Sequence, residues 1–469
     1  MRKNNNKKSG VTTIMFNTQG STRIRVLRSA ITALMLLSVM AFSGQALAVP
    51  SFASQTGMPC SQCHVVSFGV ALTAYGRQFK LNGYTFSGGD QPMPLAAMVQ
   101  GGYTHTSAPL PDPAAPHFAT NDNLSVDQVS VFLATKLFDH VGMFAQGTYS
   151  GEDRHFSWDN LDVRWARPLT NFFGTDAVVG ISVNNNPTVQ DLWNSTPAWA
   201  YPYITSGLAP GPSAAPVIAG GFAQVVLGAT AYTMIHDHLY LEAGAYRGLS
   251  DHWLGNLGLY PDNNIHMDGA APYWRAAYQF TLGQQEHYFS FGTFGLSSKL
   301  QPDPTVPQTD HYTDVGFDGV YQYTPADGPG SINVNASVIH EQQHLDATFA
   351  AGGANNATNH LTTVEADLTY AWRQTYAVSG GVFNTTGSTD PTYFGFGTSG
   401  TPDTRGYIAM LEWVPFGKKD SWARPWVNLR LGIQYTGYTR FDGGTSNYDG
   451  TGRSASDNNT LFLFYWMAF

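Results

Sequence analysis

Leu361-Thr362-Thr363-Val364-Glu365-Ala366-Asp367-Leu368-Thr369-Tyr370-Ala371-Trp372-Arg373 alternates with period two. Val364, Ala366, Leu368 and Tyr370 point one way, and Glu365, Asp367 and Thr369 the other. Successive side chains of a β-strand leave opposite faces, so this is a strand with one apolar and one polar side. Working outward, 425–440 sets Val427, Leu429, Leu431, Ile433 and Tyr435 against Asn428, Arg430, Gly432 and Gln434. In 331–341, Ile332, Val334, Ala336 and Val338 oppose Asn333, Asn335 and Ser337. The same pattern recurs at 94–107, 125–137, 141–150, 156–168, 175–186, 217–235, 239–249, 270–282, 287–299, 311–324, 375–387, 404–415 and 458–469. The total is sixteen strands.

Alternation alone suits a soluble sandwich as well as a membrane barrel. Composition separates them: 12% charged residues, 13% aromatics and 49 glycines, with no second long apolar run. Connection lengths add an independent test. Links after even-numbered strands are short (138–140, 236–238, 283–286, 325–330), and links after odd-numbered ones are mostly long (187–216, 300–310, 342–360). A barrel with short turns at one mouth and long loops at the other has this parity, and a sandwich has no reason to. The end, Thr460 to Phe469, resembles the C-terminal aromatic signal of bacterial outer-membrane proteins. The expected fold is all-β: a 16-stranded antiparallel transmembrane β-barrel, porin-like, over 94–469, after a short, partly helical c-type haem-binding plug segment over 49–93.

That segment holds the only two cysteines, in Cys60-Ser61-Gln62-Cys63-His64. A Cys-x-x-Cys-His run reads as c-type haem attachment, with thioethers from Cys60 and Cys63 and His64 as proximal iron ligand. One covalently attached haem c is the expected cofactor. Structural zinc needs about four ligands, and no second Cys/His pair lies nearby. Met98 or Met93 is the candidate distal ligand, with His105 a further one in the outward phase. Forty-five residues are too few for an independent core, so the segment is expected inside the lumen, with Phe52, Phe68, Tyr75, Phe79, Leu81 and Tyr84 packed about the porphyrin and the wall.

Arg23, Arg25 and Arg28, the apolar run 31–42 and Ala46-Leu47-Ala48 form a signal peptide over 1–48, cleaved near Ala48/Val49, with Met15 an alternative start. Its removal leaves 17 Lys and Arg against 33 Asp and Glu, a formal net charge of −16 against −9 for the whole chain. That balance excludes nucleic acid as a partner class and favours cations. Inward-facing Glu242, Asp314, Asp318, Glu365, Asp367 and Glu412, with Arg164, Arg275 and Arg430, are expected to solvate the lumen and set its field. His340-Glu341-Gln342-Gln343-His344 matches HExxH, which works on a helix; here it is expected to leave a strand for a loop, as loop polarity. Gly395-Phe396-Gly397-Thr398-Ser399-Gly400 lacks a βαβ context and reads as a loop.

The stretch Val49 to His64, with its Phe52-Ala53-Ser54-Gln55-Thr56-Gly57 lead, and the exit Tyr75 to Tyr84, with Phe79-Lys80-Leu81-Asn82-Gly83-Tyr84, resembles the fused outer-membrane cytochrome–porins. Ser54 stands where that family usually has Arg, and 65–76 departs from its Pro-containing, Phe-Gly stretch. The resemblance implies a bacterial outer-membrane electron conduit with iron:cytochrome oxidoreductase activity. The donor would be extracellular Fe(II) or another reductant, and the acceptor a periplasmic cytochrome or other carrier. The alternative is a porin or solute channel whose haem-bearing plug is structural or a redox gate.

Overall fold

A computed structural model of the chain describes residues 51–88, 94–172, 174–260, 264–423 and 427–469. The signal peptide expected over 1–48, and Met93, lie outside them. The strands are β1 (Leu95–Thr106), β2 (Asn123–Phe138), β3 (Val141–Ser150), β4 (His155–Phe172), β5 (Thr175–Asn184), β6 (Val226–Ile235), β7 (Leu239–Gly248) and β8 (Ala271–Leu282). There follow β9 (His287–Leu300), β10 (Asp310–Tyr323), β11 (Gly330–His344), β12 (Thr358–Trp372), β13 (Tyr376–Gly387), β14 (Thr404–Trp413), β15 (Asn428–Arg440) and β16 (Thr460–Ala468). Each pairs antiparallel with its sequence neighbour, and β1 pairs with β16 to close the barrel. Closure leaves no unpaired edge, as a strand crossing lipid requires.

The two faces are inverted relative to a soluble protein. On β12, Val364, Leu368 and Tyr370 are exposed, whereas Asp367 and Thr369 are buried. Phe291 and Phe317 are each 57% exposed on the outer wall, and Val382 59%. An apolar band of this extent is unstable in water and stable against acyl chains. Trp372, Tyr376 and Trp413 face outward beside the short turns, where an aromatic girdle meets the lipid headgroups. The closed sheet with its apolar outer band is a porin-like barrel; no helix among the described residues is long and apolar enough to cross a membrane.

Turn parity holds: two residues join β2 to β3 and three join β6 to β7, while 185–225 and 441–459 join odd-numbered strands to their successors. The exceptions are the short link 151–154 between β3 and β4 and the long link 414–427 between β14 and β15. The strand expected over 217–235 starts instead at Val226. Val217–Gly221 forms a distorted helical turn whose N–H groups are held from the opposite wall: Val217 N donates to Glu341 Oε2 at 2.6 Å, and Ile218 N to Asp314 Oδ2 at 2.9 Å. The long link 185–225 therefore folds into the lumen and does not extend β6.

The outer loops are tied at Asp390, between β13 and β14. Its carboxylate accepts the backbone N–H groups of Asn355, Asn356, Thr392 and Tyr393 and the Asn359 amide, all at 2.9–3.2 Å. Burial alone would raise its pKa; the donated hydrogen bonds outweigh burial and hold it at about 2. A carboxylate depressed in the folded state stabilises above its unfolded pKa and loses that contribution as pH falls through the folded value. The wild-type loops should thus lose this contribution progressively as pH falls from the ordinary carboxylate range towards about 2. Asp390→Asn should cost roughly 1–3 kcal/mol locally and remove the acid dependence. Limited proteolysis of the 345–357 and 388–403 loops against pH checks both.

Candidate functional site

Among the described residues three short helices precede β1: α1 (Ser51–Thr56), α2 (Cys60–Cys63) and α3 (Ala74–Leu81). Pro59 is extended and starts α2, a single turn that puts residues three apart on one side. His64 leaves the turn in extended conformation, its N–H bonded to Cys60 O at 2.9 Å, and bridges Leu72 in antiparallel fashion. Thr73 caps α3 by accepting Gly76 N–H at 3.2 Å. A Cβ at Gly76 would stand 2.4 Å from Cys63 O, so only glycine lets α3 lie against the Cys-x-x-Cys turn.

This segment is fastened to the inner wall at the short-turn end. Ser61 N donates to Gly417 O at 3.0 Å, and Gln374 Nε2 to Ser61 O at 3.0 Å. Asn428 Nδ2 reaches Ser67 O at 2.9 Å, and Arg430 Nη1 reaches Phe68 O at 3.2 Å. Arg77 donates to Gln322 Oε1 at 2.7 Å with its guanidinium 3.7 Å above the Tyr288 ring. Tyr84 donates to Asp162 Oδ2 at 2.6 Å, and Arg164 donates to Lys80 O at 3.1 Å. Lys80 Nζ bonds Val189 O at 2.9 Å and Asn194 Oδ1 at 2.8 Å, joining the segment to the inward link. Burial first, and the Arg164 charge second, pull the Lys80 ammonium down to about 7 against three nearby carboxylates.

Cys60, Cys63 and His64 border one cavity of about 670 Å³, with Met98 of β1 and Trp466 of β16 on its wall. That size lies in the ~300–1,000 Å³ range of cofactor and small-molecule pockets. Phe52, Phe68, Phe79 and Tyr84 line it as well. Phe52 packs on Phe79 at 4.9 Å and on Tyr84 at 5.2 Å, and Phe68 on Trp466 at 4.9 Å between ring centroids. Of the six side chains expected around the cofactor, Tyr75 and Leu81 do not line the cavity: Tyr75 meets Phe86, and Leu81 is buried with Ala166, Leu192 and Trp193.

Burial, then the Arg430 charge, pulls the His64 imidazole down to about 4, leaving it in the neutral form that ligates metals. Its Nδ1 is buried without a hydrogen-bond partner. Burial, then Cys60, pushes the Cys63 thiol up to about 12, so it stays protonated. Met98 is buried, and its sulfur accepts Trp466 Nε1–H at 2.7 Å. His105 points outward to Asp122 at 2.7 Å, away from the cavity. Two neighbouring thiols, a neutral imidazole whose Nδ1 has no partner, a thioether and aromatic walls around one space form a donor set that fits haem c.

The inward charges expected to be solvated are instead largely buried in ion pairs. Arg275 binds Asp318 at 2.9 Å and Asp191 at 3.0 Å, Arg164 binds Asp162 at 2.7 Å, and Arg430 pairs with Glu412. They lose water because the segment and the inward link fill much of the lumen. Asp162, Asp191, Arg77 and Lys80 escaped the sequence reading: Asp191 and Arg77 meet Arg275 of β8 and Gln322 of β10, Lys80 meets the inward link, and Asp162, beside Arg164 on β4, is buried only once Tyr84 lies against it. The HExxH match lies wholly within β11, not at a strand-to-loop exit. Its alternation turns His340 and His344 outward and Glu341 inward, so the three residues cannot share a metal. Among the described residues no group of three or more His, Cys, Asp or Glu is arranged to hold an ion.

No protein-family model matches the chain, and no curated protein matches it. Among solved structures, the anion-selective porin from Comamonas acidovorans is similar at 12% identity and a TM-score of 0.45, over 80% of this chain and 98% of that one. OmpT of Vibrio cholerae and the outer membrane channel DcaP of Acinetobacter baumannii each match at 12% identity and a TM-score of 0.41, over 80% of this chain and 96% of theirs. Likeness at this level carries no function across.

Proposed function

We propose that the chain is an outer-membrane barrel whose lumenal segment carries one covalent haem c and passes electrons between the two mouths. The observation that carries the reading is the convergence of Cys60, Cys63, His64 and Met98 on one cavity inside a closed barrel. Cys60 and Cys63 would hold the group by thioethers, and His64 and Met98 would be the donors to its iron. Haem c supplies a one-electron couple when bound there. The protein's part is to fix the donors and to exclude water. Phe68, Trp466, Tyr203 and Trp199 line the cavity, and Met58, 39% exposed, borders it at the short-turn mouth. A periplasmic carrier would meet the protein there, and the donor would enter from the long loops. Ferrous iron as donor rests on the resemblance to the cytochrome–porins.

The second reading is a solute channel with a haem-bearing plug. It follows more directly from the barrel, because it asks nothing of the cofactor. The two separate in detergent-purified protein. The conduit predicts that Fe(II) reduces the haem, seen as sharpening of its absorption bands, with little conductance in planar bilayers. The channel predicts conductance and an unreduced haem.

A further inference from the structure

A second cavity, of about 370 Å³, lies between the inward link and the wall made by β11–β15. Glu365 and Asp367 of β12 both line it, two residues apart on the lumenal face of one strand. The Asp367 carboxylate is held by one donor group, Asn335 Nδ2, at 3.1 Å to each oxygen. Gln434 of β15 also lines the cavity; it is 3% exposed and its Oε1 has no hydrogen-bond partner. The Tyr201 hydroxyl on the link is likewise buried and unpartnered. Buried oxygens are ordinarily satisfied, so two orphans beside two carboxylates point to a missing electropositive group. The nearest strong cation, Arg430, is already engaged by Glu412 and Phe68 O.

We infer that this cavity, bounded by Glu365, Asp367, Gln434 and Tyr201, is a binding site for a hydrated divalent cation. Carboxylate, amide and hydroxyl oxygens are the ligands hard divalent ions take, and the space admits an ion that keeps several waters. Two protein carboxylates completed by neutral oxygens and water make a weak, exchangeable site, in keeping with the lack of a three-residue cluster of metal ligands among the described residues. Trp199, Ala200, Pro202 and Thr205 border this cavity and the cofactor cavity alike. An ion held here is therefore separated from Cys60 and His64 by one layer of the link. This deepens the electron-transfer reading and rests on it for the ion's role as donor; the binding itself does not.

The test uses the purified full-length protein in detergent, with Mn²⁺ alone as probe followed by electron paramagnetic resonance. Wild type is expected to bind Mn²⁺ at one saturable site. Asp367→Asn and Glu365→Gln should each weaken it by roughly tenfold or more, and Gln434→Leu should weaken it less. Asp449→Asn, in an outer loop, should bind as wild type does. Unboiled gel mobility reports barrel folding for each variant. No saturable Mn²⁺ binding by wild type, or equal binding by folded Asp367→Asn and Glu365→Gln, overturns the site. Mn²⁺ binding as expected with no haem reduction by Fe(II) would leave the site standing and overturn the conduit; the reverse would do the opposite.

Discussion

Protein purified with both Cys60→Ala and Cys63→Ala is expected to carry no haem that survives denaturation, whereas wild type is expected to keep one per chain through boiling and gel electrophoresis. Each thiol sits on the same one-turn helix bordering the cavity, so either single variant should retain one thioether and a reduced haem stain. The barrel should still close. Its hydrogen-bonded ring from β1 through β16 involves neither cysteine, and Arg77, Lys80 and Tyr84 still anchor the segment. What would be lost is the proposed occupant of a 670 Å³ space, and with it the stabilisation that a bound ligand confers on the folded state. His64→Met separates attachment from ligation. It should leave the haem covalent and shift its absorption bands, because only the axial donor changes.

Arg275→Met is the second large effect, expected to cost about 3–5 kcal/mol because it strands two buried carboxylates. Arg275 holds Asp318 on its own wall and Asp191 on the inward link, and Ser195 on the link donates to Asp318 at 2.6 Å. Without the guanidinium the two acids repel, and the link is released from the wall. Single-channel conductance in planar bilayers should rise and the melting transition should fall. Asp191→Asn added to Arg275→Met should recover part of the stability by removing one orphaned charge. Unchanged conductance and melting would show that the link is held elsewhere.

The barrel was legible because lipid on one side and polar lumen on the other force period two on every spanning segment. β3, read as 141–150, begins and ends as expected, since links of two and four residues on either side leave little slack. The expected β6 went wrong at 217–225, where an apolar run, Val217-Ile218-Ala219, looks like strand but packs inside the lumen under Asp314 and Glu341. Periodicity reports which face is apolar and says nothing about whether that face meets lipid or another part of the chain. Cys60, Cys63 and His64 could be singled out because the Cys-x-x-Cys-His spacing is local. Met98 could be placed on the lumenal face of β1 from its phase alone. Trp199, Tyr203 and Trp466 share its cavity only through the fold of the link and the closure of β16 on β1. The 187–216 link, with six prolines and four aromatics in a long connection, carries the local signal that it does more than join two strands.

The claim that electrons cross through the lumenal segment is tested most directly in lipid vesicles that contain the protein and enclose an oxidised soluble cytochrome, with Fe(II) added outside. The account predicts that wild type reduces the enclosed cytochrome and that Cys60→Ala/Cys63→Ala vesicles do not. Equal reduction in both, or none in wild type while salt crosses the membrane, would contradict it.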